Sequence, residues 1–329
     1  MPWKQSNIQV QVKIFDRATY GSHRIAKTQV PPAMQRPSPY LKVTFSVIAW
    51  GASFVATKVA LIEISPVAVV WLRFGMGILI LAGTVYARKQ LQFPPSKDLV
   101  YFALLGFLGI TFHQWLQSTG LVTARATTTA WIVATTPIFI TILGWLILRE
   151  RLRWDAVGGI LAAAFGVILV VSKGNLVSLT IGQFGDPGDL LILISAPNWA
   201  LFSVLSRKGL KTHPAAMMIF YVMLFGWLGT TVQFFMGPGI NELRQLSLNG
   251  WIAVTFLGIA ASGLAYVFWF DGLAKIQASQ IGAFLYIEPL VTMLIASALL
   301  GEHIQGITLL GGLIILTGVW LVTRTKILI

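Results

Sequence analysis

The chain has 329 residues, of which 56% are hydrophobic and 11% are charged, and its formal net charge is +13. Because soluble domains carry about 25% charged residues, this composition excludes an ordinary soluble protein. The sequence contains no cysteine, which excludes disulfides, thiolate metal sites and cysteine nucleophiles. Its four histidines are scattered without metalloprotease spacing, so we predict neither a metal site nor a cofactor.

The first 40 residues are polar and irregular, and they contain a proline-rich run over 31–39. They include no apolar stretch of signal-peptide length. We therefore predict that residues 1–40 form a disordered cytoplasmic tail. Met34 is an alternative start, and the residues before it would then be a gene-model extension.

Long uncharged stretches follow the tail and recur to the end of the chain. Stretches of about 20 apolar residues match the hydrocarbon thickness of a bilayer at helical rise. We therefore predict an all-α integral membrane protein with ten transmembrane helices and a lipid bilayer as its surroundings. The predicted spans are 42–61, 66–86, 98–118, 126–148, 155–172, 188–206, 214–236, 249–270, 279–300 and 305–324.

Positive charge is concentrated on one side of these spans. With a cytoplasmic N-terminus, 19 of the 24 lysines and arginines lie in the tail, the inner loops or the C-terminal end, and 3 lie in outer loops. This is the positive-inside pattern, which predicts a multi-pass protein of the cytoplasmic membrane with both termini cytoplasmic. Since the basic residues occupy short loops between apolar spans, we predict no nucleic-acid partner.

The second half of the chain repeats the first at an offset of 152 residues. Residues 105–172 and 257–324 share 14 identities over 68 positions without a gap. Pro137 aligns with Pro289, and Glu150 aligns with Glu302. The pattern predicts two five-helix repeats, at 41–173 and 187–325.

Each predicted repeat has an odd number of spans, so the second repeat inserts upside down relative to the first. Inverted repeats are typical of secondary transporters, because rocking one half against the other exposes a midplane site to alternate sides. We therefore predict a secondary transporter of small organic molecules that works by alternating access, and not an enzyme. The alternatives are a channel-like facilitator, an intramembrane enzyme, or a duplicated bundle without a transport role. The absence of a Walker motif argues against ATP-driven transport by this chain alone.

Short motifs in both halves resemble the EamA-type family of the drug/metabolite transporter superfamily. They are the run Trp50–Lys58, Arg73-Phe74, Pro137, Arg149-Glu150-Arg151, Glu288-Pro289 and Leu300-Gly301-Glu302. The resemblance covers about residues 41–325. It implies ten helices, cytoplasmic termini and movement of metabolites or drugs across the cytoplasmic membrane, often outward.

Polar and amphipathic side chains inside the spans are the candidates for a substrate site. Such groups at membrane depth usually face the bundle interior or a water-filled cavity. Helix packing and anchoring at the membrane interface are the alternative roles for any single one of them. The predicted cavity residues are Trp50, His113, Gln114, Gln117, Thr128, Trp131, Asn198, Trp199, Tyr266, Trp269, Tyr286 and Glu288.

Glu288 is the clearest candidate, because helical rise places it about 14 Å into the ninth span. Two hypotheses are open for it: a substrate or proton site, or a neutral group that hydrogen-bonds for structure. We assign gating or structural roles to a second set, namely Arg73, Pro137, Glu150, Pro289 and Glu302. Arg73 is expected to snorkel or to pair with Glu63, and Lys58 is expected to snorkel to the outer interface.

Overall fold

The computed structural model describes residues 38–148, 154–175, 185–273, 275 and 284–324. All regular secondary structure in these ranges is helical. Nine of the described helices are long and apolar enough to cross a membrane, and Ile287–Leu300 is a shorter apolar helix. The prediction of a ten-helix membrane protein is therefore confirmed.

We number the ten helices α1 to α10 in chain order. The first five are α1 (Pro39–Ala60), α2 (Pro66–Ala87), α3 (Ser96–Thr123), α4 (in two segments, Ala126–Val133 and Thr136–Leu148) and α5 (Trp154–Val171). The second five are α6 (Pro187–Leu210), α7 (Ala215–Met236), α8 (Leu248–Gly272), α9 (Ile287–Leu300) and α10 (Gly306–Arg324). Proline occupies the first turn of α1, α2 and α6, where its missing N–H removes no helical hydrogen bond.

Four helices are less regular than the sequence predicts. The ninth span is predicted as continuous over 279–300, but Leu285 and Tyr286 form a turn before α9 begins at Ile287. Both α3 and α8 contain a π-helical segment, over Phe107–Phe112 and Phe256–Leu264 respectively. The fourth span is predicted as continuous over 126–148, but α4 is interrupted at Ala134 and Thr135. Pro137 is the second residue after that interruption, where a proline ring is tolerated.

The two halves pack against each other in an exchanged pattern. In the first half, α1 contacts α8 and α9, and α2 contacts α8. In the second half, the corresponding helix α6 contacts α3 and α4, and α7 contacts α3. Each of these contacts between the halves therefore has a counterpart with the roles reversed, as a pseudo-two-fold axis requires.

The glycines of α5 and α10 show the same symmetry at atomic detail. A Cβ placed on Gly159 would lie 2.6 Å from the carbonyl oxygen of Gly318. A Cβ placed on Gly166 would lie 2.7 Å from the carbonyl oxygen of Gly311. At the offset of 152, Gly159 corresponds to Gly311 and Gly166 to Gly318, so the two contacts are symmetry equivalents. Small residues allow this close approach of two helices.

Contacts between loops group the helix ends into two opposite faces. On one face, Ser65 donates to Glu242 through its backbone N–H (3.0 Å) and its hydroxyl (2.7 Å), and Ser247 donates to Glu63 in the same way (2.6 Å each). On the other face, Lys42 and Arg88 both form ion pairs with Asp271, at 2.6 and 2.7 Å. The loops on each face are those that ten alternating spans require.

Some predictions fall on residues outside the described ranges. They are the tail up to residue 37, Glu150 with its two flanking arginines, and the first part of the ninth span, 279–283.

Candidate functional site

The π-helical segments of α3 and α8 receive hydrogen bonds from the neighbouring helices. A π turn breaks the regular i to i+4 pattern, and such segments are frequent at functional sites. The indole N–H of Trp50 in α1 donates to the carbonyl oxygen of Ala261 at 3.0 Å. The side-chain amide of Asn198 in α6 donates to the carbonyl oxygen of Leu108 at 2.8 Å. Trp50 in the first half and Asn198 in the second half therefore make nearly equivalent contacts, each with the π segment of the other half.

Arg73 lies beside the Trp50 contact, with only 5% of its surface exposed. Its Nε donates to the Ser262 hydroxyl at 2.9 Å, and its Nη1 donates to Oε1 of Gln114 at 3.2 Å. The predicted alternatives for Arg73 are therefore both wrong. The side chain points into the bundle and not to the interface, and Glu63 is bound to Ser247 instead.

Aromatic rings surround this point. The Trp50 ring lies 5.6 Å from that of Tyr266 and 5.0 Å from that of Trp269, measured between centroids. Tyr266 also makes an edge contact with Phe74 at 6.4 Å, and the Arg73 guanidinium lies 5.1 Å from the Phe74 ring centre. The predicted residues Trp50, Gln114, Tyr266 and Trp269 thus lie close together around Arg73.

A second group of predicted residues lies at the junction of α3 with α6. The His113 ring is buried 4.8 Å from the Trp199 ring. Among the described residues, His113 Nδ1 has no hydrogen-bond partner. Gln117, one turn further along α3, is half-buried. His113 directly precedes Gln114, so this group adjoins the Arg73 site.

Glu288 is the second residue of α9 and packs against the middle of α1. The Thr292 hydroxyl, one turn later, donates to the backbone oxygens of Gly51 (2.7 Å) and Glu288 (2.9 Å). The Glu288 side chain is 8% exposed, and it forms no hydrogen bond or ion pair within the described ranges. Pro289 is buried beside it. Gly51 follows Trp50, so α9 and the Arg73 site contact adjacent residues of α1.

Three predicted cavity residues contact other parts of the molecule. Trp131 is buried against Gly312 of α10. The Tyr286 hydroxyl lies 3.2 Å from that of Thr323, also in α10. Thr128 lines a small surface cavity with other residues near the ends of α4, α5 and α9, including Arg125, Lys173 and His303.

Glu302 and Lys58 hold the short connection between α3 and α4 from two sides. The Glu302 carboxylate accepts hydrogen bonds from the backbone N–H groups of Ala126 (2.8 Å) and Thr127 (3.1 Å) and from the Thr127 hydroxyl (2.7 Å). Lys58 Nζ donates to the carbonyl oxygens of Leu121 (3.0 Å) and Ala124 (2.6 Å). Acidic groups favour helix N-termini and basic groups favour C-termini, so both charges stabilise this connection. The ammonium group of Lys58 thus reaches the end of α3, and the snorkelling of Lys58 to the outer interface stays a prediction.

Sequence reasoning missed two members of the site. Ser262 accepts the hydrogen bond of Arg73 Nε, and Thr292 joins α9 to α1. In the sequence, Ser262 and Thr292 are single hydroxyl residues within apolar spans. Such residues often only pack helices together, so the pattern does not identify one that hydrogen-bonds to an arginine. Within the described ranges, no group of three or more potential metal-ligating side chains occurs.

Three comparisons place this arrangement among known proteins. The sequence profile of the EamA-like transporter family matches residues 38–172 and 186–324. A "Probable terminal-alkyne amino-acid exporter" of Streptantibioticus cattleyicolor is 24% identical over 290 residues, which cover 86% of this chain and 92% of that protein. A "Probable amino-acid metabolite efflux pump" of Escherichia coli is 24% identical over 284 residues, which cover 84% and 91%. A solved crystal structure superposes with a TM-score of 0.61 at 21% identity and covers 88% of this chain and 97% of that one.

Proposed function

Because the chain belongs to the EamA-like transporter family, we propose that it is a secondary transporter that exports small organic metabolites across the cytoplasmic membrane by alternating access. The relatives named as an amino-acid exporter and an amino-acid metabolite efflux pump support outward transport of compounds of that size. The basic residues concentrated in the predicted inner loops support cytoplasmic termini.

The observation that carries the proposal is the exchanged packing of the two halves. In a structure with an inverted repeat, the two halves can exchange their conformations. This exchange gives two arrangements of the molecule, each open to a different side of the membrane. The pseudo-symmetric contacts between α5 and α10, through Gly159 with Gly318 and Gly166 with Gly311, supply a seam about which such an interchange can occur. The Arg73 site lies between α2, α3 and α8, which belong to both halves.

The contact of Glu302 with the start of α4 offers a direct test. It joins the two halves at one face, and we propose that it opens when the site is exposed to that face. In the double variant Thr127→Cys and Glu302→Cys, the two thiols replace groups that are 2.7 Å apart. The chain has no other cysteine, so a short bis-methanethiosulfonate reagent bridges only this pair, through two disulfides that reduction can cleave.

Transport is measured in proteoliposomes loaded with a soluble metabolite extract, by mass spectrometry of the compounds that cross the membrane. We expect the bridged protein to transport nothing and the reduced protein to recover. Each single-cysteine variant, treated with the same reagent, is the control. Transport by the bridged protein at the unbridged rate would contradict movement at this contact. A protein that moves no compound in any state would contradict the transporter proposal itself.

A further inference from the structure

Arg73 carries a buried positive charge without a counter-charge. Both of its hydrogen-bond acceptors, Ser262 and Gln114, are neutral. Within the described ranges, no carboxylate lies at ion-pair distance from its guanidinium. A positive charge in a membrane-embedded core is costly unless an anion or water compensates it. An anionic group is therefore the kind of ligand that this site favours.

The hydrogen bonds of Arg73 leave most of its donors available. A guanidinium has five N–H groups in a planar fork, and the two bonds to Ser262 and Gln114 account for two of them. Gln114 uses its oxygen as the acceptor, so its own amide NH2 group remains a donor. The guanidinium is thus oriented by two neutral groups while its remaining N–H groups can still pair with a planar anion.

The surroundings indicate what the rest of such a ligand looks like. The Tyr266 ring contacts the rings of Trp50 and Phe74, and the Phe74 ring centre lies 5.1 Å from the guanidinium. Trp50 donates to Ala261, the residue before Ser262, which fixes the indole beside the cation. Ligand sites commonly combine apolar walls with a few polar groups that set orientation.

From these observations we propose that Arg73 binds the carboxylate of the transported substrate, so that the substrate class is organic carboxylates with an apolar remainder. Arg73 is then the residue that determines specificity, and Ser262 and Gln114 are the residues that position it. A purely structural arginine would join α2, α3 and α8 equally well, but it would not discriminate between an acid and its amide. The inference rests on the proposed transport function.

The test uses the full chain in proteoliposomes. The vesicles are loaded with an equimolar mixture of benzoate, 3-phenylpropionate and the twenty common amino acids, together with the matched primary amides. Compounds that cross the membrane are quantified by mass spectrometry. We expect the parent protein to move one or more acids at least about tenfold faster than the matched amide, since a charge-assisted bidentate pair is lost with the amide.

Variants then assign the discrimination to Arg73. Arg73→Gln should lower acid transport about 10- to 100-fold and abolish the preference for acid over amide. Arg73→Lys keeps the charge but loses the fork, so it should retain part of the preference. Arg244→Gln removes an exposed arginine from a loop and should leave the preference unchanged. If Arg73→Gln fails to fold, Gln114→Leu and Ser262→Ala replace it, because they retain Arg73 and should lower the acid-to-amide ratio.

The outcomes separate this inference from the broader proposal. Equal transport of acids and amides, or transport of amides and not acids, would overturn the role of Arg73 while leaving the transporter proposal intact. An unchanged acid-to-amide ratio in folded Arg73→Gln would do the same. A parent protein that moves no member of the mixture, and moves only metabolites without a carboxylate from a soluble extract, would also overturn it. No movement of any compound from either load would contradict the transport function.

Discussion

Glu288 combines burial, proximity to α1 and the lack of a partner in the described part of the chain. A carboxyl in such surroundings either holds a proton or waits for a cation. Either behaviour can couple transport to a gradient, because the group is protonated or occupied on one side of the cycle and released on the other. The Arg73 site and α9 contact adjacent residues of α1, Trp50 and Gly51 respectively.

Replacing the carboxyl of Glu288 by an amide separates coupling from structure. We expect Glu288→Gln to insert and melt like the parent, because the side chain keeps its shape. We also expect its transport to lose its dependence on a pH gradient, measured in proteoliposomes with imposed internal and external pH. Glu288→Asp retains the acid and is the matched control. A pH dependence in Glu288→Gln equal to that of the parent would exclude a coupling role.

Glu63 provides a test at the surface. Hydrogen bonds from the Ser247 hydroxyl and backbone N–H hold the pKa of the Glu63 carboxyl below its usual 4.5. A lowered pKa in the folded protein means that the ionised group stabilises the fold above the unfolded pKa, and that this contribution disappears as the pH falls through the folded pKa. The melting temperature of Glu63→Gln should therefore fall below that of the parent at pH 7, and the difference should shrink below about pH 4. A difference that does not vary with pH would contradict the assignment.

At the scale of single residues, the sequence predicts which side chains lie inside the bundle, but it does not predict which residues they contact. Trp50, Gln114, Tyr266 and Trp269 are correctly expected inside the bundle, because a polar atom in an apolar span must find a partner there. Arg73 is correctly expected to lie inside a span, but its partners on α3 and α8 follow from the packing of helices that are distant in the chain. Neither hydropathy nor spacing contains that information.

Helix packing at the α5–α10 seam depends on which glycine of a pair faces the partner. Gly159 contacts Gly318, whereas a Cβ on the adjacent Gly158 would meet no atom within 4 Å. Gly159→Ala should therefore lower the free energy of unfolding by about 1–3 kcal/mol through overpacking. Gly158→Ala is the matched control and should raise it by about 0.5–1 kcal/mol, since alanine favours the helix. Thermal unfolding of the purified variants in one detergent measures both changes.

Pseudo-symmetry extends this prediction to the other half. Gly311→Ala should resemble Gly159→Ala, because a Cβ there would lie 2.9 Å from the carbonyl oxygen of Gly166. A variant that melts like the parent would show that α5 and α10 adjust freely at this seam.

The helices themselves are predicted more completely than their irregularities. Span length and low charge locate all ten, because the bilayer imposes both. The interruption of α4 and the π segments of α3 and α8 are not predicted, since the surrounding residues remain apolar through them. Each π segment also receives a hydrogen bond from a helix distant in the chain, Leu108 from Asn198 and Ala261 from Trp50.

For the molecule as a whole, the distribution of lysine and arginine predicts the orientation of the chain in the membrane. Asn241 lies exposed in the short helix Gly239–Leu243 between α7 and α8, and Lys211 lies exposed between α6 and α7. Because the chain has no cysteine, single cysteines at these positions report the side unambiguously. A membrane-impermeant thiol reagent added to whole cells should label Asn241→Cys and should label Lys211→Cys only after the membrane is permeabilised. The opposite pattern would reverse the orientation.

The equivalence of the two glycine contacts between α5 and α10 has a consequence for how such a chain can arise. Gly159 meets Gly318, and their counterparts Gly311 and Gly166 meet each other in the same way. An interface of this kind is isologous, which means that one surface is complementary to a second copy of itself. Two separate copies of a single five-helix unit, inserted in opposite orientations, could form the same seam without a covalent link. Gene duplication and fusion would then add only a fixed ratio and a fixed orientation of the halves, and each half could afterwards diverge, so that Arg73 is present in one half alone.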